Sequence, residues 1–246
     1  MKLVVNPNCQ RFSSILKDVP ALFDSSDTSI HKARNELKIV DCLDESLVLK
    51  SFKVPNLLRR CIYTYLRPSK AEKSYQNSLL LGDFTPTPVA YVEYFDGGLI
   101  SNSYFVSEHY AYDFTIREPL LDLDFPDRPE VFKAFAKFSL ALHDAGFFHK
   151  DYSPGNILIR KLADGGYEFK IVDVNRMLKL ELDNEMRARG FEKLWARDED
   201  LDVIAKEYAQ HSTVPDDFAE QVKLFSNKNK RFKNFKKRLK GKPVND

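Results

Sequence analysis

The fold is decided by the octapeptide His149-Lys150-Asp151-Tyr152-Ser153-Pro154-Gly155-Asn156. A helix-like run that ends near Gly146 precedes it, and the strand-like run Ile157-Leu158-Ile159 follows it. A second strand-like run, residues 167–172, ends on Asp173. The chain therefore presents, in order, a helix, a polar loop, a pair of strands and an aspartate.

Three residues of this region have the chemistry that phosphoryl transfer needs, because that reaction depends mainly on positioning and charge neutralisation. Asp151 is suited to accept the proton of an attacking hydroxyl group. Asn156 follows a Pro-Gly turn and offers an amide oxygen for Mg²⁺, while Asp173 is suited to bridge the metal to nucleotide phosphates. An isolated H-x-D would usually be a turn with a solvated carboxylate. The complete order H-x-D-x-x-x-x-N, strand, strand, Asp resembles the protein-kinase catalytic core.

Composition limits the class of protein. With 246 residues, 43% of them hydrophobic and 30% charged, the chain is long enough for one large globular domain or two packed lobes. A net charge of +2 gives no global signal for nucleic acid, and no binding of nucleic acid is expected. Three cysteines without C-x-x-C spacing fit a reducing compartment, and no apolar window is long enough to span a membrane. We expect a cytoplasmic protein, with peripheral attachment to the inner membrane as a further option.

The periodicity predicts an α+β, bilobal, protein-kinase-like fold. The N-terminal lobe, residues 1–108, is expected to hold an antiparallel sheet plus one helix. Strand-like runs at 36–43 and 46–52 flank an acidic turn at Asp44-Glu45, and Val89–Phe95 pairs with 99–107 around Asp96-Gly97-Gly98. A helix is predicted from Ser69, its N-cap, to Leu81, before Gly82.

The second lobe, residues 109–220, is expected to be mainly helical. Glu108–Tyr112 forms the predicted hinge, and Glu108 is therefore placed with the nucleotide-binding residues. The helix before the catalytic loop, residues 128–145, carries an apolar stripe made of Val131, Phe135, Phe138 and Leu142. Residues 221–246 form a separate basic tail in this interpretation.

A lysine for the nucleotide phosphates is expected on a strand of the N-terminal lobe. In Leu47-Val48-Leu49-Lys50, strand alternation places Val48 and Lys50 on one face, as in the V-A-I-K arrangement of kinases. Lys53 is the rival, on the other face, and Lys50 is favoured. Glu72, the only acid between Ser69 and Leu81, is the predicted ion-pair partner. A solvated carboxylate at the helix start is an almost equal alternative for Glu72.

Three features depart from protein kinases. No G-x-G-x-x-G loop is present, and His31-Lys32-Ala33-Arg34-Asn35-Glu36 occupies its position. Asp173-Val174-Asn175 replaces D-F-G, and no A-P-E follows. Because A-P-E belongs to the segment that docks a peptide, these departures favour a small-molecule or lipid substrate over a protein.

Residues 30–210 resemble the lipopolysaccharide kinases, the Kdo and heptose kinases of the WaaP or InaA-like group. The resemblance is carried by the catalytic loop, by Ser69-Lys70-Ala71-Glu72-Lys73-Ser74-Tyr75 leading to Thr85-Pro86-Thr87-Pro88, and by Asn175-Arg176. It implies an ATP-dependent kinase that phosphorylates an inner-core sugar of a lipopolysaccharide precursor glycolipid at the inner membrane. It further implies ATP and Mg²⁺ as cofactors, Asp151 as base, Asn156 and Asp173 as metal ligands, and Lys50 as phosphate clamp. An atypical protein serine/threonine kinase and a nucleotide-binding pseudokinase scaffold are the alternatives.

The end of the chain is strongly basic. From Gln221 to Asp246 there are ten Lys and Arg residues against one acid, Asp246. Phe225, Phe232, Phe235 and Leu239 lie at helical spacing within this run, which suits an anionic membrane surface. Packing of the apolar stripe against the second lobe is an equally weighted alternative. The run Asp198-Glu199-Asp200 and the pair His143-Asp144 are interpreted as structural rather than metal-binding.

Overall fold

The computed structural model describes residues 1–26, 29–32, 35–241 and 243. The chain divides into two compact units, and neither is a single continuous stretch. Unit 1 contains Met1–Ala111 and Asp173–Arg176, and unit 2 contains Tyr112–Val172 and Met177–Asp246. The sequence places a boundary after residue 108, whereas unit 1 continues to Ala111 and also includes the segment that carries Asp173.

Unit 1 is built on a six-stranded antiparallel sheet with the strand order β1-β5-β6-β4-β3-β2. The elements in chain order are β1 Lys2–Val5, α1 Val19–Asp24, β2 Ser29–Lys32, β3 Asn35–Cys42, β4 Glu45–Phe52, α2 Leu57–Tyr65, α3 Lys70–Leu81, β5 Pro88–Asp96 and β6 Leu99–Glu108. The α+β class and the antiparallel sheet are therefore confirmed. The expectation of one helix is wrong, because α1 and α2 accompany α3.

Helix α3 has the boundaries that its sequence predicts. The Ser69 hydroxyl accepts a hydrogen bond from the Glu72 backbone N–H at 3.1 Å, which satisfies a donor that the first helical turn leaves free. At the other end, Gly82 adopts φ = 54°, a conformation that glycine reaches at low cost. The Ser69 N-cap and Gly82 thus mark the two ends of α3.

Two hairpin turns of unit 1, β3–β4 and β5–β6, use left-handed backbone conformations. Gly97 and Gly98 have φ values of 58° and 77°, which suit the tight turn between β5 and β6. Between β3 and β4 the turn residues are Leu43 and Asp44, with φ values of 51° and 62°. The predicted turn at Asp44-Glu45 is therefore displaced by one residue, because Glu45 already pairs with Cys42.

The core of unit 1 lies between the sheet and the N-terminal segment. Leu47 and Leu49 alternate along β4 and are fully buried against Phe12 and Leu16. Short 3₁₀ turns at Pro7–Phe12 and Ile15–Asp18 deliver those N-terminal residues. The opposite face of β4 carries Lys50, which the alternation of the strand places away from this core.

Unit 2 is mainly helical and carries two small antiparallel sheets. Its elements are β7 Phe114–Thr115, α4 Arg117–Leu121, α5 Arg128–Asp144, β8 Phe147–His149, β9 Ile157–Lys161, β10 Tyr167–Ile171, β11 Met177–Lys179, α6 Asn184–Arg189, α7 Asp198–Gln210 and α8 Phe218–Leu239. The sheets have the orders β10-β9-β7 and β11-β8. The predicted stripe of α5 faces the core, since Val131, Phe135 and Leu142 are fully buried.

The basic tail is not a separate domain. Helix α8 begins at Phe218, and Phe218, Val222 and Ser226 are buried in unit 2. The predicted separation at residue 221 is therefore corrected, because a single helix crosses it. Within the described residues, no helix is both long enough and apolar enough to cross a membrane.

Candidate active site

The catalytic-loop sequence lies between β8 and β9 in unit 2 and is held by its own backbone. The Ser153 N–H donates to the Asp151 carbonyl at 2.7 Å, and the Asn156 N–H donates to the Ser153 carbonyl at 2.9 Å. Tyr152 points inward, is 1% exposed, and shares a hydrogen bond with the Ser139 hydroxyl of α5 at 3.0 Å. Its ring stacks on Phe135, so the loop is anchored to the helix that precedes it.

His149 connects this loop to the end of β10. The Asp151 backbone N–H donates to His149 Nδ1 at 3.0 Å, so Nδ1 is the acceptor. The proton must then be on Nε2, which lies 3.0 Å from the Val172 carbonyl and donates to it. The imidazole is buried, and its two hydrogen bonds connect the loop backbone to the residue that precedes Asp173.

Asn156 is oriented by a hydrogen bond across the loop. Its side-chain Nδ2 donates to the Asp151 carbonyl at 2.9 Å. Because a carbonyl only accepts, this contact identifies the nitrogen and leaves Oδ1 as the atom with acceptor capacity. An amide oxygen is a ligand that Mg²⁺ accepts in proteins. The Asn156 backbone carbonyl also accepts from Val172 N–H at 2.9 Å, which ties the loop to the residue before Asp173.

The carboxylate of Asp151 is accessible and faces one cation. Its side chain is 41% exposed, and Lys193 Nζ lies 3.8 Å from Oδ1. The same ammonium donates to the Lys150 carbonyl, so Lys193 contacts the loop at two points. Sequence reasoning missed Lys193, because it lies 43 residues beyond Lys150 and no spacing pattern connects the two.

Unit 1 holds the other charged pair of the candidate site. Lys50 Nζ donates to Asp173 Oδ1 at 2.5 Å, and Lys50 is 8% exposed. Two residues that are 123 positions apart in the sequence therefore form an ion pair. Lys53 lies beyond the end of β4 and is exposed. This geometry favours Lys50 over Lys53 as the lysine for nucleotide phosphates.

Asp173 has an unusual backbone conformation. Its φ is 59°, in the left-handed region that aspartate tolerates better than most residues. The Asn175 side-chain amide donates to its Oδ1 at 2.7 Å, and the Asn77 side-chain amide of α3 donates to the Val174 carbonyl at 2.7 Å. Strained backbone of this kind concentrates at functional sites, where the surrounding contacts maintain it.

Further cations surround this ion pair. The pKa of Lys70, the first residue of α3, is lowered from its usual value, first because the ammonium is partly removed from water and next because Arg59 is close. Lys50 and Arg176 lower the pKa of Lys70 in the same sense, whereas Asp173 opposes them. These four cations with one carboxylate give this part of unit 1 an excess of positive charge.

Glu72 does not form the predicted ion pair with Lys50. Its carboxylate lies 3.3 Å from Lys2 Nζ and accepts from the Tyr91 hydroxyl at 3.2 Å. Among the residues that the structure describes, the ion-pair partner of Lys50 is Asp173. The physical reason is that Lys2 of β1 lies between two carboxylates, Glu72 and the buried Glu93. Burial raises the pKa of Glu93, and the Lys2 ammonium acts against this shift.

Glu108 is the last residue of β6, just before the chain leaves unit 1. Its backbone N–H donates to the Thr87 carbonyl at 2.9 Å, and its carboxylate lies 3.8 Å from Arg11. Its role in nucleotide binding stays a prediction. In the segment that replaces the glycine loop, β2 ends at Lys32, and Ala33 and Arg34 lie outside the described residues.

The other acidic and histidine candidates are structural. Asp200 is buried against Arg128 at 2.6 Å, and Asp198 accepts from the Asn227 amide. His143 lies 3.1 Å from the Tyr208 hydroxyl, and burial lowers the pKa of His143 to about 3, with Arg187 contributing. Within the described part of the chain, no group of three or more His, Cys, Asp or Glu side chains converges. The Asn156 amide oxygen and the Asp173 carboxylate are each of a ligand type that Mg²⁺ accepts, and their role as metal ligands stays a prediction.

Two pairs of predicted residues are thus brought together, each inside its own unit. Lys50 meets Asp173 in unit 1, and Asp151 meets Asn156 in unit 2. The order of elements around them, with a strand lysine, a following helix, a polar loop, two strands and an aspartate, defines a protein-kinase-like fold.

Comparison with solved structures supports this class. The chain is similar to a structure of WaaP in complex with acyl carrier protein, with a TM-score of 0.60 and 15% sequence identity, over 94% of this chain and 99% of that one. In all, 1134 chains of solved structures match, so the architecture is widespread and does not define a reaction. No protein-family model matches the sequence, and no curated protein matches it. The resemblance to WaaP is therefore a resemblance of fold.

Proposed function

We propose that the protein is an ATP-dependent kinase that transfers a phosphoryl group to a sugar hydroxyl of the lipopolysaccharide inner core, on Kdo or heptose. The observation that carries the proposal is the arrangement of Asp151 and Asn156. Hydrogen bonds within the loop occupy the Asn156 nitrogen and leave the Asp151 carboxylate exposed. A proton acceptor and a metal-binding oxygen are thus held on one rigid loop, as phosphoryl transfer needs.

Each residue has one task in this mechanism. Asp151 accepts the proton of the acceptor hydroxyl as that oxygen attacks the terminal phosphorus of ATP, and ADP leaves. Lys50 neutralises charge on the phosphates, and its 2.5 Å contact with Asp173 keeps the ammonium in place until ATP binds. Mg²⁺, when bound with ATP, supplies further neutralisation, and Asn156 and Asp173 are the residues that would hold it. His149 keeps the loop in position through its two hydrogen bonds.

The glycolipid acceptor is supported by the sequence resemblance to Kdo and heptose kinases and by the fold shared with WaaP. The sequence has no A-P-E motif, which in protein kinases belongs to the segment that docks a peptide substrate. This departure further supports a glycolipid over a protein as the acceptor. The atypical protein kinase and the pseudokinase scaffold share the same catalytic residues. They differ in the product, which makes product analysis the deciding experiment.

The test is incubation of the purified protein with labelled ATP, Mg²⁺ and lipopolysaccharide precursors, with products identified by mass. We expect one added phosphate on the sugar portion of the glycolipid, and none with Asp151→Asn. Transfer to a purified protein without transfer to any glycolipid would support the protein kinase instead. Mg²⁺-dependent ATP binding without any product would support the scaffold.

Helix α8 supports attachment to an anionic membrane surface. The first residue of its apolar stripe, Phe225, is half-buried and lies against Arg189 of α6. Phe232, Phe235 and Leu239 are 52%, 58% and 71% exposed. Beyond Phe225, the Asn229 amide donates to the Glu192 carbonyl and Lys230 donates to the Ala196 carbonyl, while Lys237 Nζ lies 5.7 Å from the centre of the Trp195 ring. A basic helix end with exposed aromatic residues has the composition of an interfacial segment.

Truncation after Arg231 tests this attachment. The deletion removes the exposed Phe232, Phe235 and Leu239 together with the Lys237–Trp195 contact, and it keeps Phe225, Asn229 and Lys230, so the melting temperature should change little. Binding to anionic vesicles should fall, and raising the salt concentration should weaken binding of the intact protein, because charge attraction is screened over about 10 Å at 0.1 M salt. Unchanged vesicle binding with a lower melting temperature would show that the stripe has a structural role.

A further inference from the structure

Helix α2, Leu57–Tyr65, is amphipathic but buries no residue. Its apolar positions follow helical spacing and form one continuous face, which consists of Leu57, Leu58, Cys61, Ile62, Tyr65 and, just beyond the helix, Leu66. An amphipathic helix of a globular protein normally turns such a face toward the core. Here Leu57, Leu58, Tyr65 and Leu66 are 66%, 71%, 72% and 77% exposed.

The polar face of α2 explains this inversion, because that face attaches the helix to unit 1. The Arg60 guanidinium donates to the Ile100 carbonyl at 2.7 Å and to the Asp96 carbonyl at 2.8 Å. The Thr64 hydroxyl accepts from the Ile100 backbone N–H at 2.9 Å. Both residues therefore bind the β5–β6 hairpin, and the apolar face points away from it. The orientation is maintained by hydrogen bonds at two successive turns of the helix.

The charge around α2 identifies its partner. From Lys53 to Lys73 the chain has six Lys and Arg residues and one acid, Glu72, which already faces Lys2. Among the residues that the structure describes, neither Arg59 nor Arg67 forms an ion pair with a carboxylate. The exposed face of α2 is made of aliphatic and tyrosine side chains, and unpaired cations lie at its margin. It is therefore complementary to an anionic lipid bilayer, which has an apolar interior and negatively charged head groups.

We propose that α2 is an interfacial helix, whose apolar face enters an anionic lipid bilayer while Arg59 and Arg67 contact the lipid phosphates. This inference goes beyond the proposed function, since lipid binding by α2 needs neither ATP nor an acceptor. It rests on a different element from the α8 attachment and stands without it. If the kinase proposal holds, α2 brings unit 1 to the surface where a glycolipid acceptor is embedded.

The decisive variant is Leu57→Ser/Leu58→Ser in the full chain. Its matched control is Leu79→Ser/Leu80→Ser, which replaces two exposed leucines of α3. These leucines lie at the C-terminal end of α3, about 15 Å along the helix from Lys70 at its start. Co-sedimentation is measured with vesicles of phosphatidylethanolamine and phosphatidylglycerol, and with phosphatidylcholine alone. The same pair of variants is measured in a Phe232→Ser/Phe235→Ser background, so that binding through α8 does not mask the effect.

We expect Leu57→Ser/Leu58→Ser to weaken binding to the anionic vesicles by about tenfold or more, because each leucine that leaves water contributes strongly to partitioning. The control should bind as the wild-type protein does, and all melting temperatures should agree because the substituted residues are exposed. Equal binding by the variant and the wild type, or an equal loss in the control, would overturn the proposal.

A spectroscopic measurement locates α2 directly. In a Trp195→Phe background, Tyr65→Trp should shift its emission to the blue with anionic vesicles and be quenched by brominated lipids. Unchanged emission would overturn the proposal. Sedimentation velocity gives a second outcome that would overturn it. If the wild-type protein forms a dimer, and Leu57→Ser/Leu58→Ser dissociates the dimer without changing vesicle binding, then the apolar face of α2 binds a second copy of this chain. Glycolipid phosphorylation is scored separately, so its failure is distinguishable from failure of the membrane proposal.

Discussion

The candidate residues fall into two halves, one in each unit, and different forces maintain them. In unit 2, the loop from His149 to Asn156 is fixed mainly by neutral hydrogen bonds, most of them between residues that are two to five positions apart, and Lys193 adds one charged contact. In unit 1, Lys50 and Asp173 are maintained by attraction between opposite charges, in a region where cations outnumber carboxylates. Under the proposed function, the loop is the rigid half, which serves the chemistry, and the Lys50–Asp173 pair is the charged half, which serves the nucleotide phosphates.

Asp173→Asn should have the largest effect on the charged half. The substitution removes a metal-binding charge and the partner of Lys50, and metal-assisted charge stabilisation is worth several kcal/mol. We therefore expect phosphoryl transfer to fall by on the order of 10³-fold. Steady-state kinetics of the variant beside Asp216→Asn, which alters an exposed carboxylate, checks this. Equal activity of the two variants would remove Asp173 from the site.

Lys50→Met should reduce kcat/KM for ATP by on the order of 10²-fold, because a positioned cation at the phosphates is lost. Lys53→Met is the matched control, since it removes an exposed lysine three residues farther along the chain. It should leave kcat/KM unchanged. If Lys53→Met gives the larger loss, then Lys53 is the lysine that serves the nucleotide.

Lys193→Met tests whether the rigid half also depends on charge. Its ammonium lies 3.8 Å from the Asp151 carboxylate and donates to the loop backbone, so its removal should disturb the position of Asp151. We expect kcat to fall by about tenfold with little change in KM for ATP. Lys228→Met, at an exposed lysine, is the control. A change in KM alone would place Lys193 in nucleotide binding instead.

The pH dependence of the free energy of unfolding tests whether His143 is buried as a neutral imidazole in unit 2. Burial lowers the pKa of His143 to about 3, so folded protein keeps this imidazole neutral beside Arg187 and Tyr208. Below pH 6.5 the unfolded chain takes up a proton that the folded chain does not, so the free energy of unfolding falls as pH falls. The loss should reach about 2 kcal/mol between pH 7.5 and 5. Denaturant unfolding of wild type and His143→Gln measures it, and an equal slope in both would contradict the assignment.

The sequence predicted correctly those features that depend on residues close together in the chain. The loop, the cap of α3 and the glycine hairpin follow from residues that are close in sequence, so motif spacing and capping rules suffice. The partner of Lys50 does not follow, because it depends on which carboxylate the folded chain brings near, and Lys2 engages Glu72 instead. Helix α2 was missed for a related reason. Its apolar residues face outward, so it contributes no core residue to the predicted lobe.

Titration of ATP in the presence of Mg²⁺ against wild type, Lys50→Met and Asp151→Asn tests the division between the two halves most directly. The account predicts that Asp151→Asn binds ATP with the wild-type Kd while phosphoryl transfer is lost by at least about 10²-fold. It predicts that Lys50→Met raises the Kd for ATP. A higher Kd in Asp151→Asn together with an unchanged Kd in Lys50→Met would contradict the account.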